Sequence, residues 1–395
     1  MKWVSSSKSA FFFFNCKPFL YTTRVPMLTL LLFLIPGVCF GIEPDVSGFA
    51  EARGHFFRYD GDTYFMATEL IRPDLRVRLT DRLLLSATIE AGLTQHRTLD
   101  MNHAATGAMT TVSDRYIELE RLFMDAYLPF ADLRIGRQAV NWGSAFFINP
   151  TDPFPELLLT EPWRARSGIN AARATVRFGA GHQIQALLGM DDDFKSWLAA
   201  SRTTFRMGPA DLSVSGTWHE ETQRGMAGID LRGNFHIGYW FEGGLHINDD
   251  HIREEIAVGA DYSFPVMDNL IITLQYYRNN TLSFMTNDYE AADSGDGYGA
   301  SSGATATPGR DFGIFSAALT VNPEISCSIL WIQSLQHSNG LMVPVLTITP
   351  GRRWTLNAAA QIRTGDIPSM PNRNNGIPGV PIPRNTFIVW VQLSF

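Results

Sequence analysis

Apolar and polar residues alternate along most of the chain, from about residue 46 to the last residue. Residues 85–93 show the pattern clearly, because Leu85 and Ile89 fall on one face and Glu90 on the other. Successive side chains of a β-strand point to opposite faces, so each such segment predicts a strand with one apolar and one polar side. Nothing in this region is apolar for the roughly 18 consecutive residues that a membrane-spanning helix needs.

Short turns and long polar connections alternate between the predicted strands. A short turn at 80–82, for example, is followed by longer connections at 95–112 and 141–167. Transmembrane barrels have this rhythm, with tight periplasmic turns and longer external loops. The segments number eighteen, from 46–58 to 384–395, and a count of sixteen stays open. An even count places both termini on the periplasmic side.

These patterns predict an all-β fold, a single transmembrane antiparallel β-barrel over residues 42–395. One barrel can absorb this length, whereas a soluble chain would usually divide into domains. Residues 113–140 fit least well, because apolar and charged residues occupy both faces around Glu118, Glu120 and Asp125. We therefore expect a β-bulge in this region.

The last predicted strand ends on an aromatic residue. Phe387, Val391 and Phe395 share one face of it. This resembles the terminal strand that bacterial barrel-assembly machinery recognises in outer-membrane proteins, so Phe395 is a candidate assembly signal and that machinery a candidate partner. The alternative is an ordinary last strand of a soluble β-sandwich.

The first 41 residues have the order of a secretory signal peptide. An apolar run at 27–41 follows the basic residues Lys17 and Arg24, and small side chains at Cys39 and Gly41 suit cleavage after Gly41. Either the first residue or Met27 is the translation start. Lipid attachment at Cys39 is a weaker alternative, because Val38 is bulky.

Charge and cysteine content narrow the function classes. After residue 41 the chain carries 28 basic and 39 acidic residues, and this net acidity argues against nucleic-acid binding. Lys195 is the single lysine among those bases. The arginines suit anion contacts, although the codon preference of a GC-rich genome is the favoured explanation for them. Cys327 alone in the predicted mature chain permits no internal disulfide, and no spacing suggests a metal or other cofactor.

The segment 133–154 is the most distinctive in the chain. It contains a GRQ-x-x-x-WG element formed by Gly136, Arg137, Gln138, Trp142 and Gly143. This element resembles porin-like outer-membrane families similar in style to the alginate-export barrels, in which it ends a strand. The resemblance implies a barrel with a transport role and no particular substrate. A strand-to-loop transition with Trp142 in the interfacial aromatic belt is the alternative interpretation.

The polar faces of the predicted strands supply candidate pore-lining residues. If the apolar faces contact lipid, several charged side chains, mostly arginines of the first six strands, point into the lumen. Charges lining a pore set its selectivity, although a solvated wall braced by arginine–carboxylate pairs is the favoured interpretation. The candidates are Arg53, Arg76, Arg78, Glu90, Arg134, Arg173 and Arg177.

The connection 141–167 is a candidate constriction loop. By the strand count it is the third external loop, and it is too apolar to be left in water. General porins fold their third loop into the barrel. The residues expected to supply the narrowest point are Trp142, Asp152, Glu156, Glu161, Arg164 and Arg166. The alternative is that the loop caps the barrel outside or meets a second subunit.

The sequence therefore predicts a porin-like channel in the outer membrane of a Gram-negative bacterium. It would pass small polar solutes, with an anion preference as a hypothesis, in contact with lipid and lipopolysaccharide. Homo-oligomerisation stays open. An export or scaffold barrel acting with periplasmic partners, for example on a polysaccharide, is the second candidate. Enzymatic activity is not expected, because the G-x-S-x-G letters at 299–303 lie in a Gly/Ser-rich loop rather than between a strand and a helix.

Overall fold

The computed structural model describes residues 44–59, 62–99, 111–154, 166–248, 252–280, 310–365 and 385–395. No helix in these ranges is long and apolar enough to cross a bilayer. The strands are β1 (Asp45–Tyr59), β2 (Asp62–Thr80), β3 (Leu83–Leu99), β4 (Thr111–Tyr127), β5 (Asp132–Gln138), β6 (Ile169–Phe178), β7 (His182–Met190), β8 (Trp197–Met207), β9 (Ala210–His219), β10 (Arg224–Phe235), β11 (Ile237–Ile247), β12 (Ile252–Phe264), β13 (Asn269–Asn279), β14 (Asp311–Asn322), β15 (Ile325–Ser334), β16 (Gly340–Ile348), β17 (Trp354–Thr364) and β18 (Asn385–Ser394).

The eighteen strands form one closed antiparallel sheet. Each strand pairs with the next along the chain, and β1 pairs with β18 as well as with β2. The predicted antiparallel barrel of eighteen strands is therefore confirmed.

Alternation assigns the two faces of the wall. In β11, Phe241 and Leu245 are exposed on the outer face, whereas Trp240 and Glu242 are buried on the inner one. Paired residues of neighbouring strands point to the same face, so the strand register identifies the inward and outward residues of every other strand. The outer surface is apolar, as a surface in contact with lipid must be.

The region of mixed polarity contains the expected bulge. The pairing of β3 with β4 shifts between Thr88 and Ile89, and Glu120 is the extra residue of β4. The first hairpin extends further than predicted, because β2 begins at Asp62 rather than at residue 67. Residues 63–66 pair with β1 but are largely apolar at both inward and outward positions. This part of β2 therefore lacks the alternation from which a strand is predicted.

The barrel seam joins the first and last strands at Gly48 and Phe395. The Gly48 N–H donates to the Phe395 carbonyl oxygen at 3.1 Å, and the Phe395 N–H donates to the Gly48 carbonyl oxygen at 3.0 Å. An added Cβ on Gly48 would collide with the Arg72 carbonyl oxygen of β2 and would lie 3.0 Å from the Phe395 ring, so glycine accommodates the β2 backbone as well as the terminal aromatic.

Deleting Phe395 should lower the yield of folded, heat-modifiable barrel in the outer membrane. The deletion removes the candidate recognition aromatic together with two seam hydrogen bonds, each contributing about 1 kcal/mol. Phe395→Ala keeps the backbone bonds and removes only the ring, so it isolates the recognition role. Wild-type levels of inserted barrel for both variants would contradict the prediction.

Candidate functional site

A long connection between β5 and β6 enters the barrel; we call residues 139–168 the lumen loop. Its described parts are 139–154 and 166–168. Backbone groups of the loop bond to side chains on β11 and β13, which lie six and eight strands away from β5 around the wall. A segment anchored at β5 and β6 reaches those inner faces only by crossing the interior.

The GRQ-x-x-x-WG element directs the chain from the wall into the lumen. The fully buried Gln138 amide ends β5 by donating to the Ala171 carbonyl oxygen at 2.9 Å. The Trp142 indole is buried and donates to Gln185 Oε1 on β7 at 3.2 Å. Gly143 has a φ of 83°, and an added Cβ there would lie 2.8 Å from Glu242 Oε1. The interpretation of Trp142 as an interfacial belt residue is therefore wrong, because its ring packs inside the barrel.

Glu242, on the inner face of β11, is the main anchor of the lumen loop. Its carboxylate is 0% exposed and accepts bonds from the backbone of Ser144 and, at 2.6 Å, of Ala145. Its second oxygen accepts from the Thr151 N–H at 3.2 Å and from the Thr151 hydroxyl at 2.9 Å. A buried charge requires such compensation, so the loop and the carboxylate depend on one another.

Two further wall residues extend this anchor. Gln275 Oε1 on β13 accepts from the Phe146 N–H at 2.8 Å, while its amide donates to the Ile148 carbonyl oxygen at 3.4 Å. The Ser144 hydroxyl donates to Asp230 on β10, which also pairs with Arg202 on β8. The loop is thus bonded to three wall strands besides β7.

Two paired glycines form a flat seat for the loop. Gly228 on β10 lies directly opposite Gly244 on β11. An added Cβ would lie 2.9 Å from Thr151 Cγ2 at Gly228 and 3.0 Å from the Pro150 carbonyl carbon at Gly244. Side chains at either position would therefore lift the loop off the wall.

Apolar packing fixes the loop on both sides of the lumen. One cluster joins Trp142 and Phe154 to the inner faces of β6, β7 and β8. The other seats Phe147 and Ile148 on the inner faces of β12 to β16. The wall residues of this second cluster are Ala257, Tyr277, Phe312, Ile314, Leu330, Ile332, Leu341 and Val343. The apolar character of the loop, which is unusual for a connection in water, is accounted for by this burial.

Asp152 and Arg166 do not present charge to the lumen, contrary to the expectation for them. Arg166 Nη1 donates to Asp152 Oδ2 at 2.8 Å, and Asp152 is only 5% exposed. Burial raises the pKa of Asp152 to about 6, although Arg166 and the Phe154 N–H act in the opposite direction. The pair acts as an internal brace, since Arg166 also donates to the Val140 carbonyl oxygen at 2.8 Å. Glu156, Glu161 and Arg164 lie outside the described residues.

The pore-lining candidates all fall on inner faces, but their surroundings differ. Arg53 pairs with Glu51, and Glu90 accepts from the Tyr116 hydroxyl at 2.8 Å. Arg177 pairs with Asp132 near the turn that follows β6. Arg76 and Arg78 are exposed near the turn that follows β2.

Arg134 and Arg173 lie directly opposite one another on β5 and β6. Arg134 makes a two-pronged bond to Asp125, at 2.6 and 3.0 Å, and stacks over the Phe123 ring. Within the described ranges Arg173 has no ion-pair or hydrogen-bond partner for its side chain. Like charges directly opposite on neighbouring strands are destabilising. This pair is therefore a candidate contact site for an anion.

One part of the inner wall carries no charge. On the described strands β13 to β16, the inward positions hold no Asp, Glu, Lys, Arg or His. Charged inner residues lie instead on other described strands, for example on β2, β4, β5 and β6 and on β8, β10, β11 and β12. The lumen is thus electrically asymmetric.

The residues that anchor the lumen loop carry no recognisable signal in the sequence. Glu242, Gln275, Gly228 and Gly244 look like ordinary inner-face positions, because nothing local distinguishes them. Glu242 stands out only as a carboxylate between apolar Phe241 and small Gly243. Their joint role appears once the register brings β10, β11 and β13 together beneath the loop.

Glu242→Ala should release the lumen loop from the wall. Hydrogen bonds to charged acceptors contribute about 1.5–3 kcal/mol each, so losing four should weaken docking by several kcal/mol. We expect higher single-channel conductance and more current noise in planar bilayers. Glu242→Gln, which keeps one accepting oxygen, should have an intermediate effect.

Glu254→Ala is the matched control, because Glu254 is an exposed carboxylate on the outer face of the adjacent strand β12. It should conduct like the wild type. Wild-type conductance and noise in a properly folded Glu242→Ala barrel would show that this carboxylate does not hold the loop.

Comparison with known proteins shows similarity at the level of the fold. No family model matches the chain, and no curated protein matches it. Among solved structures, Pseudomonas aeruginosa OccK5 (OpdH) superposes with a TM-score of 0.58 at 9% identity, covering 90% of this chain and 98% of that one. Pseudomonas aeruginosa OccK7 (OpdD) gives 0.55 at 8% identity, covering 90% and 98%. Pseudomonas aeruginosa OccK11 (OpdR) also gives 0.55, at 9% identity, covering 90% and 96%. The chain is similar to these proteins in its barrel fold.

Proposed function

We propose that this protein is a passive channel in the outer membrane of a Gram-negative bacterium, which lets small polar solutes cross with a preference for anions. Eighteen strands enclose more space than side chains fill, and the apolar outer face suits lipid. The Occ proteins that share the fold are porins. These proteins share only 8% and 9% of their residues with this chain, so the main support for a channel comes from the charges and the loop inside the lumen.

The arginines of the inner wall carry the anion preference. Arg134 and Arg173 belong to the neighbouring strands β5 and β6, where Arg134 repels Arg173 across the pair, and Arg72 lies on β2. Arg72 is neutralised by Glu120 and Arg134 by Asp125, which leaves Arg173 with unbalanced positive charge. A solute carboxylate or phosphate would relieve this repulsion without displacing an existing ion pair.

The lumen loop favours a narrow path along that charged side. The loop packs on the uncharged wall formed by β13 to β16 through Phe147 and Ile148. Solutes would therefore travel between the loop and the arginines, where low-dielectric surroundings strengthen electrostatic contacts. We assign the pore-lining role to Arg53, Arg76, Arg78, Glu90, Arg134, Arg173 and Arg177, and the constriction role to the lumen loop.

Replacing Arg76 and Arg78 together by Glu should lower the permeability of anions relative to cations. Both side chains share the inner face of β2 and are exposed, so the substitution reverses two charges on the conducting path. Arg173→Gln should act in the same direction and more weakly. The measurement is the zero-current potential of single channels in a KCl gradient.

Arg278→Gln serves as the control, because Arg278 is an exposed arginine on the outer face of β13. Its zero-current potential should equal that of the wild type. If the charge-reversed channels also keep the wild-type potential, these arginines do not line the path and the anion preference is refuted.

A further inference from the structure

A separate cavity lies at the end of the wall near the turns that join β8 to β9 and β10 to β11. It has a volume of about 240 Å³ and is lined by Asp211, Arg232, Asn234, Gly238 and Asp261, among others. Four neighbouring strands, β9 to β12, contribute these residues. Asp211, Arg232, Asn234, Gly238 and Asp261 occupy inward positions of these strands, whereas Gly233 and Tyr239, which also line the cavity, occupy outward ones. The charged side of the cavity therefore faces the lumen.

Opposite charges line this cavity without neutralising one another. Asp211 on β9 forms an ion pair with Arg206 on β8, with 3.3 Å between Arg206 Nε and Asp211 Oδ1. Arg232, the residue paired with Asp211 on β10, is not part of this ion pair. Within the described part of the chain, the side chains of Arg232 and Asp261 form no ion pair or hydrogen bond. Arg232 is exposed and Asp261 is partly buried.

Gly238 is the reason that the cavity exists. Gly238 is paired with Asp261 on β12 and with Asn234 on β10. The next inward residue of β11 is Trp240, which is paired with Arg232. An added Cβ at residue 238 would lie 2.9 Å from the Asp261 carboxyl carbon. Any larger residue would fill the space and displace the carboxylate, so glycine keeps the two charges accessible from one volume.

We propose that this cavity binds small zwitterions, solutes that carry an ammonium and a carboxylate group a few atoms apart, such as a free α-amino acid. The Arg232 guanidinium takes the carboxylate in a two-pronged contact, and Asp261 takes the ammonium. Pockets for drug-sized ligands measure about 300–1,000 Å³, so this smaller cavity suits a ligand of few heavy atoms. The proposal rests on the channel function, and it is independent of the anion preference at Arg173.

The test measures ligand binding to the full-length protein in detergent micelles by saturation-transfer NMR. Three small probes separate the charges: L-alanine carries both, propionate lacks the ammonium and ethylamine lacks the carboxylate. L-alanine should bind best. Asp261→Asn and Arg232→Gln should each weaken alanine binding about three- to fivefold, which is the scale of one solvent-exposed ion pair.

Specific variants distinguish the cavity from general charge effects. Gly238→Ala should weaken alanine binding without changing any charge, and Asp261→Asn should not weaken propionate binding, because it removes a negative charge beside the bound anion. Asp268→Asn removes a carboxylate from the exposed turn before β13 and should have no effect on alanine binding.

Three results would overturn the proposal. Propionate binding as tight as alanine binding would indicate a plain anion site, and equal ethylamine binding a plain cation site. If Asp261→Asn, Arg232→Gln and Gly238→Ala all bind alanine as tightly as the wild type, the alanine site lies outside this cavity. Because binding is measured without current, failure of the proposed channel function would appear separately, as an absence of conductance.

Discussion

Lipid offers no water to the N–H and C=O groups of an edge strand, so a sheet that spans a membrane has to close on itself. Here β1 meets that requirement by pairing with both β2 and β18, and the terminal residue Phe395 completes the seam with Gly48. Closure with eighteen strands leaves an interior that wall side chains alone do not fill. The lumen loop and the charged wall both occupy that open interior.

The lumen loop fills part of the space by two complementary means. Apolar side chains such as Phe147 and Ile148 exclude water from one side of the lumen, and Glu242 with Gln275 satisfies the loop backbone that would otherwise be buried without partners. The glycine pair Gly228 and Gly244 allows the approach that these bonds require. The arginines lie on strands such as β2, β5 and β6, and the loop approaches this side only through the cluster of Trp142 and Phe154 on β6 to β8.

The sequence predicted the architecture because period-two alternation is local. Eighteen strands, the bulge near Glu120 and the apolar outer face all follow from neighbouring residues. The apolar content of the connection 141–167 also indicated that it would not be left in water. These features needed no knowledge of which strands meet inside the barrel.

The details of the lumen could not be predicted in the same way. Whether an inward charge is free or neutralised depends on register, as Asp152 with Arg166 and Arg173 without a described partner illustrate. The anchor at Glu242 depends on contacts between segments about ninety residues apart. Trp142 was ambiguous because an aromatic near a strand end suits both an interfacial belt and a buried hinge.

The most direct test of the account is the current carried by the purified wild-type protein in a planar lipid bilayer under a KCl gradient. A passive channel with unbalanced arginine charge along its path should give discrete, ohmic current steps without any added partner, and its zero-current potential should shift towards the equilibrium potential of chloride. A correctly folded barrel that inserts and carries no current would contradict the channel, and steps with a cation-directed potential would contradict the role assigned to the arginine wall.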